Sequence, residues 1–133
     1  MSKSPKLQWA NEPAAHDYPS AASFLDLIAT PAQVKALTKL LANAPTVDKH
    51  AKDILRAARL PLLPAKDPEV AKDLKRVTKK IPLSPVLLVR GDVAAGLPLQ
   101  IVDGYHRVCA SYHLNEDTEI ACRIVSLPAK TGS

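Results

Sequence analysis

The sequence predicts a small α+β domain in which a helical N-terminal extension precedes a short mixture of strands and helices. Apolar residues recur at helical spacing through the first part of the chain, and β-branched and leucine runs bounded by Pro or Gly follow in the second part. The chain has 133 residues, 47% hydrophobic and 23% charged, which is enough for one domain with a buried core.

The N-terminal part is predicted to consist of a tail and helices. Residues 1–20 contain several prolines and no sustained apolar periodicity, so we expect a flexible tail. Residues 21–59 form the predicted helical extension, whose last helix begins at Thr46. Its clearest start signal is Thr30 followed by Pro31, because Thr is a favourable N-cap and Pro is favoured at the first helical position.

Residues 60–126 form the predicted core, which begins with an extended segment and a helix. Residues 60–64 are apolar and bracketed by prolines, which favours an edge strand or an extended segment. Asp67 before a proline indicates the start of a helix, and the apolar spacing carries this helix to Lys80. Residues 85–89 are a β-branched and leucine run, which predicts a buried strand.

The rest of the core is predicted to contain two more strands and a helix. Residues 99–102 form a short strand, 103–104 a tight turn, 105–114 a helix and 119–125 the last strand. We expect residues 127–133 to form a second tail. The predicted order of the core is therefore strand, helix, strand, strand, helix, strand.

Composition excludes several classes of protein. No apolar run approaches the roughly 20 residues that a membrane-spanning helix needs, and no apolar segment follows the lysines near the start. Cys109 and Cys122 are too few for a disulfide scaffold and lack the spacing of metal ligands. We therefore expect a cytoplasmic protein with free thiols, no membrane partner and no metal site.

The net charge of +5 is located in one segment. Residues 48–80 hold ten Lys or Arg against five Asp or Glu, whereas residues 1–47 hold four against three and residues 81–133 four against five. A basic segment favours a phosphate-bearing partner, either a nucleotide or a nucleic acid. The alternative is a solvated helix face that carries both signs of charge.

The strongest candidate for a binding site is the sequence DGYHR at residues 103–107. Gly104 lies between a predicted strand and a predicted helix, where it lets the backbone approach a ligand. The helix start offers unpaired N–H groups and a positive dipole end. His106 and Arg107 fall in the first helical turn, where cations are locally unfavourable, and an anionic ligand would explain them.

Structural roles are open for the same residues. Tyr105 begins an apolar helical stripe with Val108 and Cys109, which favours a core aromatic. Asp103 also fits a turn or N-cap residue that accepts hydrogen bonds from the following amides. For His106, packing and ligand contact agree equally well with the spacing.

The stretch PVLLVRG, followed by LPLQIVDGYHRVCASYHLNEDTEIACRIV, resembles the core of the ParB/sulfiredoxin superfamily. In that family a hydrophobic strand leads into a Gly-x-His-Arg or Gly-Glu-Arg-Arg turn, a helix with small residues and a closing strand. The resemblance covers residues 60–125 and implies a small mixed sheet of the ParB/sulfiredoxin type. No helix-turn-helix region follows the core, so the resemblance is to a stand-alone ParB-like domain.

The resemblance implies a function for the DGYHR turn. In ParB-like CTPases and ATP-using sulfiredoxins this turn binds nucleotide phosphates, so the implied phosphate-binding residues are Gly104, Tyr105, His106 and Arg107. Tyr105 stands where sulfiredoxins have the catalytic cysteine, which argues against sulfinic-acid reduction. Free-amino-acid kinases on this fold use an acidic base, for which the resemblance offers Asp67, Glu69 or Asp103 by position. We take Asp103 and His106 as the catalytic candidates.

Three function classes follow from these observations. The first is a nucleotide- or phosphate-binding domain, with a nucleoside triphosphate and magnesium as cofactor and with nucleotide hydrolysis or small-molecule phosphotransfer as its activity. The second is a nucleic-acid-binding or nuclease-like module that uses the basic segment 48–80. The third is a non-catalytic interaction protein.

Overall fold

The computed structural model describes residues 7–128, in which a four-stranded mixed sheet lies between two groups of helices. This is a small α+β fold, as the sequence predicts. The helices within residues 7–128 are α1 (Asp17–Leu25), α2 (Pro31–Asn43), α3 (Ala51–Ala58), α4 (Pro68–Thr78) and α5 (Tyr105–Leu114). The strands are β1 (Val47–His50), β2 (Val86–Val89), β3 (Gln100–Asp103) and β4 (Glu119–Val125).

The strands lie in the order β1-β4-β2-β3, so the last of them along the chain is inside the sheet. β4 pairs in parallel with β2 and antiparallel with β1, and β2 pairs antiparallel with β3. Cys122 of β4 lies opposite Val47 on one side and Val86 on the other. The prediction of a mixed sheet is therefore confirmed.

Side chains of β2 alternate between two apolar cores. Val86 and Leu88 pack in the core with residues of α3 and α5, whereas Leu87 and Val89 pack in the core with residues of α1 and α2. Because helices cover both faces of the sheet, all four side chains are buried. This two-sided burial explains why the strand is an uninterrupted apolar run in the sequence.

The predicted helix starts at Thr30 and Asp67 are confirmed. Thr30 Oγ1 accepts the Gln33 N–H at 3.2 Å, and the Thr30 N–H donates to Gln33 Oε1 at 2.9 Å, which is a capping box. Asp67 Oδ1 accepts the N–H groups of Glu69 and Val70 at 3.0 and 3.1 Å. The bounds predicted for α5 and β4 also agree with the structure.

The helix predicted to begin at Thr46 is wrong in its first turn. Residues 47–50 form β1, and α3 begins only at Ala51. The reason is pairing with β4, which places Val47 opposite Cys122. Pairing between segments this far apart along the chain overrides local helical spacing, and the predicted extension is therefore not all helical.

Residues 60–64 are neither helix nor strand, so of the two predicted alternatives, an edge strand or an extended segment, the edge strand does not form. Its prolines cannot donate to a sheet, and its carbonyl groups accept hydrogen bonds from side chains of α5 instead. Tyr105 Oη donates to the Pro61 carbonyl, and His113 Nε2 lies 2.7 Å from the Leu63 carbonyl oxygen. These contacts hold the segment against α5.

The two predicted tails lie partly outside the described residues, at positions 1–6 and 129–133. The described part of the N-terminal segment contacts the core, because Trp9 forms a bridge with Leu83 and Asp17 is buried at the start of α1. None of the helices within residues 7–128 has the length and apolar character needed to cross a membrane.

Candidate functional site

The DGYHR turn joins the end of β3 to the start of α5. Gly104 is the N-cap of α5 with φ of 107°, in the left-handed region that favours glycine. No side chain within residues 7–128 caps this helix start. The Val108 N–H donates to the Gly104 carbonyl at 3.0 Å, which is the first backbone hydrogen bond of the helix. The start of α5 therefore presents backbone donors of the kind that bind anions.

Glycine at position 104 is also required because a Cβ atom there would clash with neighbouring atoms. A Cβ atom there would lie 2.7 Å from Nη2 of Arg107 and 2.9 Å from Cγ2 of Val86. The Arg107 side chain thus folds back over the start of its own helix and packs on Gly104.

The guanidinium of Arg107 is bound inside the protein. Nη2 donates to Oδ2 of Asp103 at 2.7 Å, and Nη1 donates to Oγ of Ser84 and lies 3.5 Å from Oδ2 of Asp17. The side chain of Arg107 is 12% exposed. We call these four residues the Arg107 cluster. Because its acceptors surround the guanidinium, Arg107 has an internal role that its position in the sequence does not reveal.

Two carboxyl groups share this arginine, that of buried Asp17 and that of partly buried Asp103. Asp17 Oδ2 accepts from Ser84 Oγ at 2.7 Å and from the Ala14 N–H at 3.0 Å. Burial raises the pKa of Asp103 above its ordinary value of 3.8, although the charge of Arg107 opposes this shift, and the nearby Asp17 raises it further. The cluster therefore contains a carboxyl group whose proton affinity is increased.

A polar cleft of about 200 Å³ opens beside the Arg107 cluster. It is lined by charged and polar side chains from α1, α4 and α5 and by the turn itself: His16, Asp17, Ser20, Glu69, Asp73, Arg76, Asp103, Gly104, His106 and Arg107. Four carboxyl groups and two guanidinium groups line the same small space. The cleft is thus polar but carries both signs of charge.

Asp73 of α4 is the most buried carboxyl group on the α4 side of the cleft. Its side chain is 7% exposed, and Oδ1 accepts from Nη1 of Arg76 at 2.7 Å. Burial raises the pKa of Asp73, while the charges of Arg76, Arg107 and His106 lower it. Arg76 is half-exposed and places a cation at the mouth of the cleft.

The structure brings together four of the five predicted site residues. Asp103, Gly104, His106 and Arg107 line the polar cleft, whereas Tyr105 does not. The hydroxyl of Tyr105 donates instead to a carbonyl of the 60–64 segment, and its ring packs against the core that contains α3 and α5. This placement agrees with a structural role for Tyr105.

Asp17, Asp73 and Ser84 also belong to the site, although they were not among the residues predicted from the sequence. The sequence spacing does indicate that Asp73 is buried. It follows the inward-facing Val70 by three residues and precedes Val77 by four, so it lies on the buried face of α4. No sequence pattern indicates the roles of Asp17 and Ser84, since these two residues bond to each other across 67 positions of the chain.

Four of the ten cations in the basic segment 48–80 form local ion pairs. Within it, Lys52 pairs with Asp117, Arg56 with Asp53, Lys72 with Glu69, and Arg76 with Asp73. Three of these pairs join residues three positions apart on one helix, which is usual for a solvated helix face. These pairs agree with the alternative of a solvated helix face that carries both signs of charge. Only the Lys52–Asp117 pair offsets part of the excess of positive charge, because the other three carboxylates are already counted in it.

Comparison with known proteins adds no relationship to this geometry. A scan against protein-family models gave no match, and searches of curated proteins and of solved structures gave none either.

Proposed function

We propose that this protein is a nucleotide- or phosphate-binding domain of ParB/sulfiredoxin type, and that it binds a phosphate group at the start of α5. The observation that carries the proposal is the helix start at Gly104, which has no side-chain cap within residues 7–128 and opens into the polar cleft. Backbone N–H groups at such a start are favourable donors to phosphate oxygens. The cytoplasm is the compartment in which we expect this activity.

His106 and Arg76 are the side chains best placed to add to this binding. His106 is partly exposed and lines the cleft beside the turn, and Arg76 is half-exposed at its mouth. Arg107 has a different task in this proposal, because it holds Asp103 through a 2.7 Å ion pair. Arg107 thus positions the turn, while His106 and the backbone contact the phosphate.

Asp103 is the residue that we propose as a base in hydrolysis or phosphotransfer. Its pKa is raised by burial, and a carboxyl group with increased proton affinity is a better proton acceptor than an exposed one. Within the described residues, no group of three or more His, Cys, Asp or Glu side chains is arranged to hold a metal ion. We therefore expect magnesium to enter with the phosphates of a nucleotide.

Thermal denaturation in the presence of nucleotides tests the proposal. CTP, ATP and GTP, each with magnesium, and inorganic phosphate are compared at millimolar concentration. A ligand at tenfold its Kd contributes about 1.4 kcal/mol, which raises Tm by several degrees in a domain of this size. A panel in which no compound raises Tm contradicts the proposal.

Two histidine variants locate the binding. His106→Ala is expected to reduce the shift in Tm, because it removes a cleft donor without breaking the Arg107 cluster. His50→Ala is the matched control, since His50 lies on β1 at the opposite edge of the sheet. Equal ligand shifts in both variants would place the phosphate outside the cleft.

A further inference from the structure

A second concavity lies at the end of the sheet opposite the polar cleft. β2 and β3 are antiparallel, so residues 90–99, which connect them, lie far from the DGYHR turn. Between α3 and this connection is a groove of about 550 Å³. We call it the basic groove, because four of its lining residues are Lys or Arg.

The floor of the basic groove is apolar. It is formed by side chains from α3, β2, β4 and the end of the connection: Ile54, Leu88, Leu99 and Ile124. No aromatic residue lines it within the described chain. The floor can therefore accept an aliphatic side chain but offers no ring on which a nucleic-acid base could stack.

The rim of the basic groove is positively charged. It carries Lys49, Arg56, Arg59 and Arg90 against two acidic residues, which have local partners. Asp53 accepts from Nη2 of Arg56 at 3.0 Å. Asp92, on the connection, accepts two backbone N–H groups at 3.0 and 3.2 Å. Among residues 7–128, no carboxylate lies within 4.0 Å of the ammonium of Lys49 or the guanidinium of Arg90.

Arg59 joins the two walls of the groove. It ends α3 in a left-handed conformation with φ of 56°, a position at which Gly or Asn is usual. Its Nη1 donates to the Gly96 carbonyl at 3.1 Å, across to the connection. The fold thus keeps a long cationic side chain at a position where the backbone disfavours it.

The connection also exposes apolar surface beside the groove. Val93 is 99% exposed and Leu97 is 59% exposed, and both line the groove. Two neighbouring apolar side chains with this exposure, next to a charged rim, are typical of a protein interaction site.

We propose that the basic groove docks an acidic segment of a partner protein that also carries an aliphatic side chain. Carboxylates of the segment would pair with Arg90 and Lys49, and the aliphatic side chain would enter the apolar floor. Charge complementarity carries this choice, since clusters of arginine recognise acidic motifs. A protein segment also covers Val93 and Leu97, which a small anion within the groove would leave in water.

Peptide selection followed by a binding measurement tests the proposal. The full chain is used to select from a display library of short random peptides, and the most enriched peptide is synthesised with a fluorophore. We expect enriched peptides to combine Asp or Glu with Leu, Ile or Val. Enrichment of basic or uncharged peptides, or no enrichment, overturns the proposal.

Variants then locate the peptide. Arg90→Glu and Leu97→Ser are each expected to weaken its binding about tenfold or more, as measured by fluorescence anisotropy. Lys79→Glu is the matched control, because it makes the same charge change just beyond the end of α4, and it should leave binding unchanged. Equal loss in all three variants indicates non-specific electrostatic attraction and overturns the proposal.

The other occupants of the groove are tested with the same variants. Single-stranded DNA is titrated into the labelled complex, and sedimentation velocity measures self-association of the full chain. Displacement of the peptide by DNA, or a dimer that Leu97→Ser dissociates, would assign the groove to a nucleic acid or to a second copy and contradict the proposal. Independence from both is the expected result.

Discussion

Arg107 reaches back across the start of its own helix, and only glycine at position 104 leaves room for it. The guanidinium then contacts two carboxyl groups, one buried and one partly buried, and a hydroxyl at the same time. Removal of one member from such a cluster leaves the remaining charges with fewer partners in a largely desolvated site, which is more costly than the net contribution of the intact cluster. The turn is therefore held by ion pairs that are mostly shielded from solvent.

Gly104→Ala is expected to destabilise the protein more than Gly96→Ala. Both glycines have positive φ, which costs an alanine about 1–2 kcal/mol. Only at Gly104 does the added Cβ also meet neighbouring atoms, whereas at Gly96 nothing lies within 4 Å. Urea denaturation of the two variants measures the difference in free energy of unfolding. Equal losses would show that the backbone conformation alone requires glycine at position 104.

Arg123 of β4 connects three parts of the fold. Its Nη1 donates to the carbonyl groups of Leu41 and Ala42, at 3.2 and 2.8 Å, at the end of α2. The same side chain donates to the Tyr18 hydroxyl and to Thr46 Oγ1, each at 3.3 Å. A buried cation at a helix C-terminus is favoured by the unpaired carbonyl groups and the negative end of the helix dipole.

Arg123→Met is expected to reduce the free energy of unfolding by about 2–3 kcal/mol, because hydrogen bonds from a charged donor to buried carbonyl groups are lost. Arg90→Met is the control, since that arginine is exposed. Guanidinium denaturation, monitored by circular dichroism, gives both values. A loss of stability in the control equal to that of Arg123→Met would contradict an anchoring role.

The N-terminal helices are an integral part of the fold. Ala21 and Leu25 of α1 are buried in the core that covers one face of the sheet, together with Leu87 and Val102. Asp17 of the same helix contacts the Arg107 cluster. One face of the sheet and the candidate site both depend on this helix.

A chain that lacks residues 1–26 is expected to lose cooperative folding. The deletion exposes the apolar face of the sheet and leaves Arg107 with one carboxylate instead of two. Binding of the dye ANS and the loss of a sharp thermal transition measure this change. If the shortened chain melts at the temperature of the full chain, the helix is dispensable and the role assigned to Asp17 is wrong.

The elements that the sequence predicted well are those that local signals specify. The start of α2 at Thr30 and the start of α4 at Asp67 follow from residues within one helical turn. The strand β1 was not predicted, because Val47 pairs with Cys122 far along the chain, and local helical spacing does not identify such a partner.

The sequence predicted the motif of the candidate site but not the contacts between its side chains. Gly104 and its neighbours form one motif, which the sequence displays directly. Asp17 and Ser84 meet Arg107 only in the folded chain, so the internal pairing of that arginine could not be predicted from the motif.

The position of β4 also determines the order in which the sheet can form during synthesis. β4 is made after the other three strands, yet it separates β1 from β2. Until the ribosome has released residue 125, β1 has no partner, and β2 and β3 form at most a two-stranded hairpin with an open edge, which is marginal in water. The nascent chain therefore carries unpaired strand edges through most of its translation, and we expect it to complete its sheet late, in one step.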